Sequence, residues 1–166
     1  PQNPQNLNDE YIIQPLLIGK EITTSIYVDK KNNIHGIFTM ERQLQNGTTI
    51  KGIVISDFNK IIKEFAQKMV DFGGLKGCFN IQSIVNKDGL VIPFEINCRV
   101  SGTNSIRHNL GFKDVKYLIQ EYYFNEIPDN PKPIYGVATR ILLDVIYPNV
   151  KDAKSLINNK HSYIIY

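Results

Sequence analysis

The sequence predicts an α+β domain, a mostly antiparallel sheet with helices packed on one face. Three observations carry that expectation. Short β-branched and apolar segments follow one another, several of them alternating in polarity with the two-residue period of a half-buried strand. Tight polar turns join them at Asp29–Asn33, at Gln45-Asn46-Gly47 and at Asn86-Lys87-Asp88-Gly89, where Asn and Gly tolerate the positive φ that hairpins need. One strongly amphipathic segment, Asp57–Phe72, places Phe58, Ile61, Ile62, Phe65, Ala66, Met69 and Val70 at spacings of three and four. It reads as a core helix with Ser56 as its N-cap and Gly73-Gly74 as its stop.

The remaining elements follow in chain order. Pro1–Glu10 is polar and reads as a linker or truncated start. Tyr11–Leu17 reads as a strand, with Pro15 placing it at an edge or strand end. Gly19 turns the chain into strands Glu21–Val28, Ile34–Arg42 and Thr49–Ile55. After the helix, FGGLKG precedes a strand rather than a helix, the reverse of a phosphate loop, and reads as a connector. Cys78–Thr103 reads as a hairpin and a small polar loop, followed by short helix Asn104–Leu110 and amphipathic helix Lys113–Phe124 through Val115, Leu118, Ile119 and Tyr122. Ile127–Pro133 is a proline-rich loop, Ile134–Tyr147 a final strand, and the tail from Pro148 is polar, with a weak helix and a last apolar run, Tyr163–Tyr166. Residues 11–128 are expected to form the main domain, and 129–166 a strand and tail extending it.

At 166 residues the chain suits one domain with a sizeable core. Its net charge of +3, without a dense Lys/Arg run, implies no nucleic-acid partner. No apolar run approaches a membrane span and no signal peptide opens the chain, so neither membrane nor export is expected. Cys78 and Cys98 fall on opposite hairpin faces, which predicts reduced, buried thiols and a cytoplasmic protein. His35, His108 and His161 are scattered, which argues against zinc.

Chemistry concentrates in the hairpin. Alternation puts Ile92, Phe94, Ile96 and Cys98 on one face of its second strand and Pro93, Glu95, Asn97 and Arg99 on the other. If Asn86 pairs with Gly89, or Val85 with Leu90, then Asn80 and Gln82 share a surface with Glu95 and Asn97. Oxygens so close together suit one or two hard cations; a solvated polar face is the alternative reading of the same residues. Ser101-Gly102-Thr103 at a helix start offers an anion site, reinforced by Arg99 and Arg107, or plain capping.

Taken together, YIIQPLLIGKE, FNIQSIV and FEINCRVSGT resemble the C-terminal half of an ATP-grasp domain, in the manner of the large subunit of carbamoyl-phosphate synthase and related carboxylate–amine ligases. The resemblance spans about Tyr11–Pro128. It implies an adenine hinge at Gln14, Pro15 and Leu17, an acid for the ribose hydroxyls at Glu21, Mg2+ ligands (with Mn2+ as substitute) at Gln82, Glu95 and Asn97, and Arg99 directed at a phosphate or acyl-phosphate. Gln14 departs from the family, which usually opens its hinge with an acid. The implied activity is ATP-dependent activation of a small-molecule carboxylate as acyl-phosphate, then attack by an amine or ammonia; a non-catalytic nucleotide-binding or interaction module that kept the fold is the alternative. The family's preceding subdomain, which covers the phosphates, has no counterpart before Tyr11, so a partner half in cis or in trans is implied and the chain alone is expected to be inactive.

Overall fold

The computed structural model describes residues 13–141, 145–148 and 164–165. Six strands form one antiparallel sheet: β1 (Lys20–Val28), β2 (Ile34–Gln45), β3 (Thr48–Ile55), β4 (Gly77–Val85), β5 (Val91–Asn97) and β6 (Val137–Thr139). Their spatial order is β5-β4-β1-β2-β3-β6, which puts β1 in the interior and β5 and β6 at the edges. Helix α1 (Asn59–Gly73) connects β3 to β4, and α2 (Asn104–Asn109) and α3 (Asp114–Tyr122) follow β5. A two-residue ladder between β7 (Val145–Ile146) and β8 (Ile164–Ile165) forms a separate small sheet. The antiparallel α+β class is as the sequence predicts. No helix among the described residues is long and apolar enough to cross a membrane.

Two cores lie on opposite faces of the sheet, because β1 alternates between them. Ile22, Ile26 and Val28 point to one face, where Phe79, Ile81 and Val85 of β4 meet Ile62, Ala66 and Val70 of α1. Tyr27 points to the other, where Phe38, Met40, Val54 and Cys78 meet Phe112 and Tyr117. The helices are thus divided between the two faces, α1 on one and α3 on the other.

Several elements differ from expectation for identifiable reasons. The segment 13–18 forms no strand, and Ile13, Leu16 and Ile18 are exposed. It leads into β1, whose two hydrogen-bonding edges are already filled by β2 and β4. Residues 11 and 12 of the expected strand lie outside the described residues. Helix α1 starts at Asn59 with Phe58 at the cap and no side-chain cap bond. Ser56 instead pairs its hydroxyl with that of Tyr135 at 2.6 Å, and its carbonyl accepts from the Asn59 amide. Gly74 ends the helix in the left-handed region (φ 62°), its amide donating to the Val70 carbonyl.

The face α3 buries is not the expected apolar stripe. Leu118, Ile119 and Tyr122 are more than a third exposed, whereas Asp114, Tyr117 and Glu121 are buried. Each buried acid has a specific partner: Glu121 accepts from the Tyr27 hydroxyl at 2.7 Å, and Asp114 from Arg107. The expected strand Ile134–Tyr147 is reduced to β6 and the short β7, with residues 142–144 outside the description. Most of the tail beyond Pro148 lies outside it as well.

The two cysteines also differ from expectation. Both are free, but only Cys78 is buried; Cys98, past the end of β5, is exposed. Burial pushes the Cys78 thiol up to about 12, reinforced by the nearby Asp114 charge and opposed by Arg107. At neutral pH one thiol per native chain should therefore react with a maleimide and two after unfolding; two fast-reacting native thiols would contradict the packing. The folded chain holds the Cys78 proton more tightly than the unfolded one, so this contribution to stability is full below about pH 9 and is lost towards about pH 12. Urea midpoints of Cys78→Ala should accordingly fall less over that interval than those of the parent chain.

Arg107 and Asp114 form an ion pair at 2.5 Å with both side chains 1% exposed. Removing only Asp114 strands a buried guanidinium, so Asp114→Ala should cost about 3–5 kcal/mol in urea unfolding. The double replacement Arg107→Met with Asp114→Leu should lose clearly less, because no buried charge is left without a partner.

Candidate functional site

The hairpin β4–β5 places the row of polar side chains through one irregularity. Near its turn the register is Val85↔Val91, Ile84↔Ile92 and Ser83↔Pro93; beyond it, Gln82↔Glu95, Ile81↔Ile96 and Asn80↔Asn97. Phe94 is the extra residue of a bulge. The turn itself departs from the expected pairing, Val85 facing Val91 rather than Leu90 with the Asn86 amide donating to the Leu90 carbonyl, and the bulge adds a second shift that puts Gln82 opposite Glu95 and Asn80 opposite Asn97. The bulge also breaks the expected apolar face of β5. Val91 and Ile96 both pack against the α1 core although their parity differs, while Phe94 and Cys98 are exposed.

The resulting row is continuous. Gln82 Nε2 donates to Glu95 Oε1 at 3.0 Å, Asn97 Nδ2 to the same oxygen at 2.5 Å, and Arg99 Nη2 to Asn97 Oδ1 at 3.0 Å. All four residues predicted for the metal and phosphate end are thereby brought together. Glu21 joins from the neighbouring strand, because β1 pairs it with Ile84, two residues from Gln82. Thr23 and Ser25, next along the same face, both donate to the buried Asn80 Oδ1, at 2.9 and 3.3 Å.

Sequence reasoning missed Arg42. It stands at the β2 position flanking Glu21 in the β1–β2 register. Its Nε donates to Glu21 Oε1 at 2.8 Å, its Nη2 pairs with the same oxygen, and Nη2 also donates to Gln82 Oε1 at 2.5 Å. Alternation puts Arg42 on the same face of β2 as Met40, but only the packing of Met40 and the β1–β2 pairing show that this face carries the row.

The arginine expected to reinforce an anion site does not reach the row. Arg107 is 1% exposed and donates to Asp114, to Ser101 Oγ at 2.5 Å and to Thr103 Oγ1 at 3.1 Å. The Ser101–Thr103 loop is therefore pinned from inside by side chains rather than left open around its hydroxyls. Thr103 stands at the N-cap of α2 without a side-chain cap bond, so the capping alternative is not what these hydroxyls do.

Two clefts flank the row. One, of about 420 Å³, lies over Asn80, Gln82, Asn97 and Arg99, with the Ser101–Thr103 loop and Arg140 on one side. Arg140 Nη2 donates to the Gly102 carbonyl at 3.0 Å. The second, of about 720 Å³, is lined by residues 16–20 together with 85–88 and Ile92. Leu17 of the expected hinge is half-buried and lines it; Gln14 and Pro15 are exposed and lie outside that lining.

As a cation site the row has the right donor chemistry, one carboxylate and two amide oxygens. The amides are turned the other way: their nitrogens face Glu95, and their oxygens accept from Arg42 and Arg99. Presenting those oxygens to an ion requires both amides to turn over. No cluster of three or more His, Cys, Asp or Glu residues exists among the described residues, so the single carboxylate Glu95 would anchor any such ion with amide help.

No protein-family model matches the sequence, and no curated protein matches it significantly. Solved structures do match. The chain is similar to the phosphoribosylaminoimidazole carboxylase ATPase subunit from Aquifex aeolicus (14% identity, TM-score 0.58, 90% of this chain and 44% of that one). It is similar to N5-carboxyaminoimidazole synthetase from Staphylococcus aureus complexed with ADP (17%, 0.56, 88% and 38%). N5-carboxyaminoimidazole ribonucleotide synthetase from Thermus thermophilus gives 8%, 0.60, 86% and 40%. The chain thus spans about two fifths of the length of these proteins, and at such identities the likeness is one of fold. What sheet, helices and neighbours establish together is that this chain has the antiparallel α+β fold of an ATP-grasp subdomain.

Proposed function

We propose that the chain forms one wall of the nucleotide cleft of an ATP-grasp ligase, which activates a carboxylate as acyl-phosphate for attack by an amine or ammonia. The observation that carries this reading is the continuous row Glu21–Arg42–Gln82–Glu95–Asn97–Arg99, displayed on the sheet of an ATP-grasp-like fold. Chemistry like that of carbamoyl-phosphate synthase is the narrower form of the proposal, and it rests on the sequence resemblance alone.

Each residue then has a role that its position permits. The backbone about Pro15 and Leu17 would read the adenine edge at the mouth of the cleft over Ile92. Glu21 would accept from the ribose hydroxyls. Gln82, Glu95 and Asn97 would hold Mg2+, or Mn2+ in its place, which when bound neutralises phosphate charge during in-line transfer. Arg99, exposed at the end of the row, would face the transferred phosphoryl oxygens, where a fixed guanidinium offsets developing negative charge. The 420 Å³ cleft beside it has room for a small carboxylate acceptor. Phosphoryl transfer depends on positioning and charge neutralisation from both sides of the nucleotide, so the reading requires a second half of the cleft, in cis or in trans.

The test is ADP release dependent on MgATP, measured with both halves of the cleft present. Glu95→Ala should lower it by at least about a hundredfold, and Arg99→Met by a comparable factor. Unchanged release in Glu95→Ala would remove the metal assignment, and no nucleotide dependence at all would leave the non-catalytic module as the reading. Calorimetry of the 166-residue chain alone with MgATP should show weak binding or none, and no turnover.

A further inference from the structure

Arg42 stands where nothing in the proposed chemistry required a residue, yet it makes the closest contacts of the row. Its side chain is 13% exposed and that of Glu21 22%. One guanidinium spans both: Nε and Nη2 engage Glu21 Oε1, and Nη2 also donates to Gln82 Oε1 at 2.5 Å. The Gln82 amide is thereby fixed in one orientation, with its nitrogen donating to Glu95 Oε1 at 3.0 Å. The orientation matters because an amide oxygen that already accepts from a guanidinium, with its nitrogen turned toward Glu95, is a poorer ligand for a second cation.

We infer that Arg42 is a positioning residue that acts as a built-in cation: it holds Gln82 out of the coordination sphere of a free divalent ion, which is anchored by Glu95 without Gln82. This rests on the reading of the row as a metal–nucleotide site. Two effects act in the same direction. The guanidinium occupies the amide oxygen, and its charge, one amide away from Glu95, repels an incoming dication. For charges of +1 and +2 about 6 Å apart in a wet site, the repulsion alone weakens ion binding about tenfold. The row is therefore poorly disposed to a bare ion and better disposed to one that arrives with phosphate oxygens already on it. Arginine suits the position because its planar fork reaches two acceptors on two strands at once, which a lysine ammonium on a flexible stem does not do as well.

The experiment is a double-mutant cycle read by Mn2+ binding in the chain, with electron paramagnetic resonance counting free Mn2+ and no nucleotide present. In the parent chain, Gln82→Leu should change Mn2+ affinity less than about twofold, because its oxygen is already engaged. Arg42→Met should tighten Mn2+ about tenfold, and in that background Gln82→Leu should cost most of the gain. Arg42→Lys keeps the charge but loses the fork, so Gln82→Leu should become costly there too; it serves as the second variant if Arg42→Met does not fold. Strict additivity of the Arg42 and Gln82 changes, or a large loss from Gln82→Leu with Arg42 intact, would overturn the inference. Glu95→Ala separates the two readings. If it abolishes Mn2+ binding while the cycle is additive, the metal site stands and the role of Arg42 falls. If the parent chain binds no Mn2+ at Glu95 at all, both fall together.

Discussion

One extra residue in an edge strand decides what this sheet displays. Without the bulge at Phe94, the same residues in a regular ladder would keep one parity throughout, and the positions that bury Val91 against α1 would carry Glu95 and Asn97 into the same core. With it, β5 packs Val91 near the turn and Ile96 further on, while Glu95 and Asn97 emerge on the opposite face beside Gln82 and Asn80. A bulge leaves one residue of the ladder unpaired and increases local twist, and edge strands tolerate both. Pro93, which has no amide to donate, sits in that same edge strand.

That face serves two purposes along its length. Towards one end Tyr27, Phe38, Met40 and Cys78 form an apolar floor for Phe112 and Tyr117; towards the other Glu21, Arg42, Gln82, Glu95 and Asn97 form the polar row. The transition is made by residues that are buried but hydrogen-bonded, Thr23 and Ser25 donating to Asn80. Behind the row, Arg107 ties the Ser101–Thr103 loop to Asp114 at the first residue of α3.

Much of this was legible in the sequence, and the remainder was hidden for physical reasons. Alternation along a strand is local, so the common surface of Gln82, Glu95 and Asn97 could be read without knowing the fold. The bulge could not, because nothing in PFEIN distinguishes a bulged from a regular strand until its partner is placed. Arg42 was hidden because its meaning depends on which strand lies beside β2. Burial of Arg107, Asp114 and Glu121 contradicts the ordinary preference of charged residues for water, and each is reconciled by a specific partner: Arg107 and Asp114 pair with one another across the turn between α2 and α3, and Glu121 accepts from Tyr27 and Lys30, far away in sequence. The stripe Val115, Leu118, Ile119 and Tyr122 misled for the complementary reason: hydrophobic periodicity finds a helix, and tertiary packing chooses which face is covered.

The position of β5 has a consequence for how the molecule would report an occupant. It is an edge strand, hydrogen-bonded to β4 alone, and two of the row's central side chains, Glu95 and Asn97, belong to it. Local opening of such a strand breaks one ladder rather than two, so its amide protons should exchange with solvent sooner than those of β1 or β4. Anything that bridges Glu95 or Asn97 to Gln82 adds a cross-link between the margin of the sheet and its interior, and linkage then requires the opening equilibrium to shift by the free energy of that bridge. The slowing of exchange in residues 91–97 is thus an intrinsic gauge of occupancy, readable without any chemical turnover.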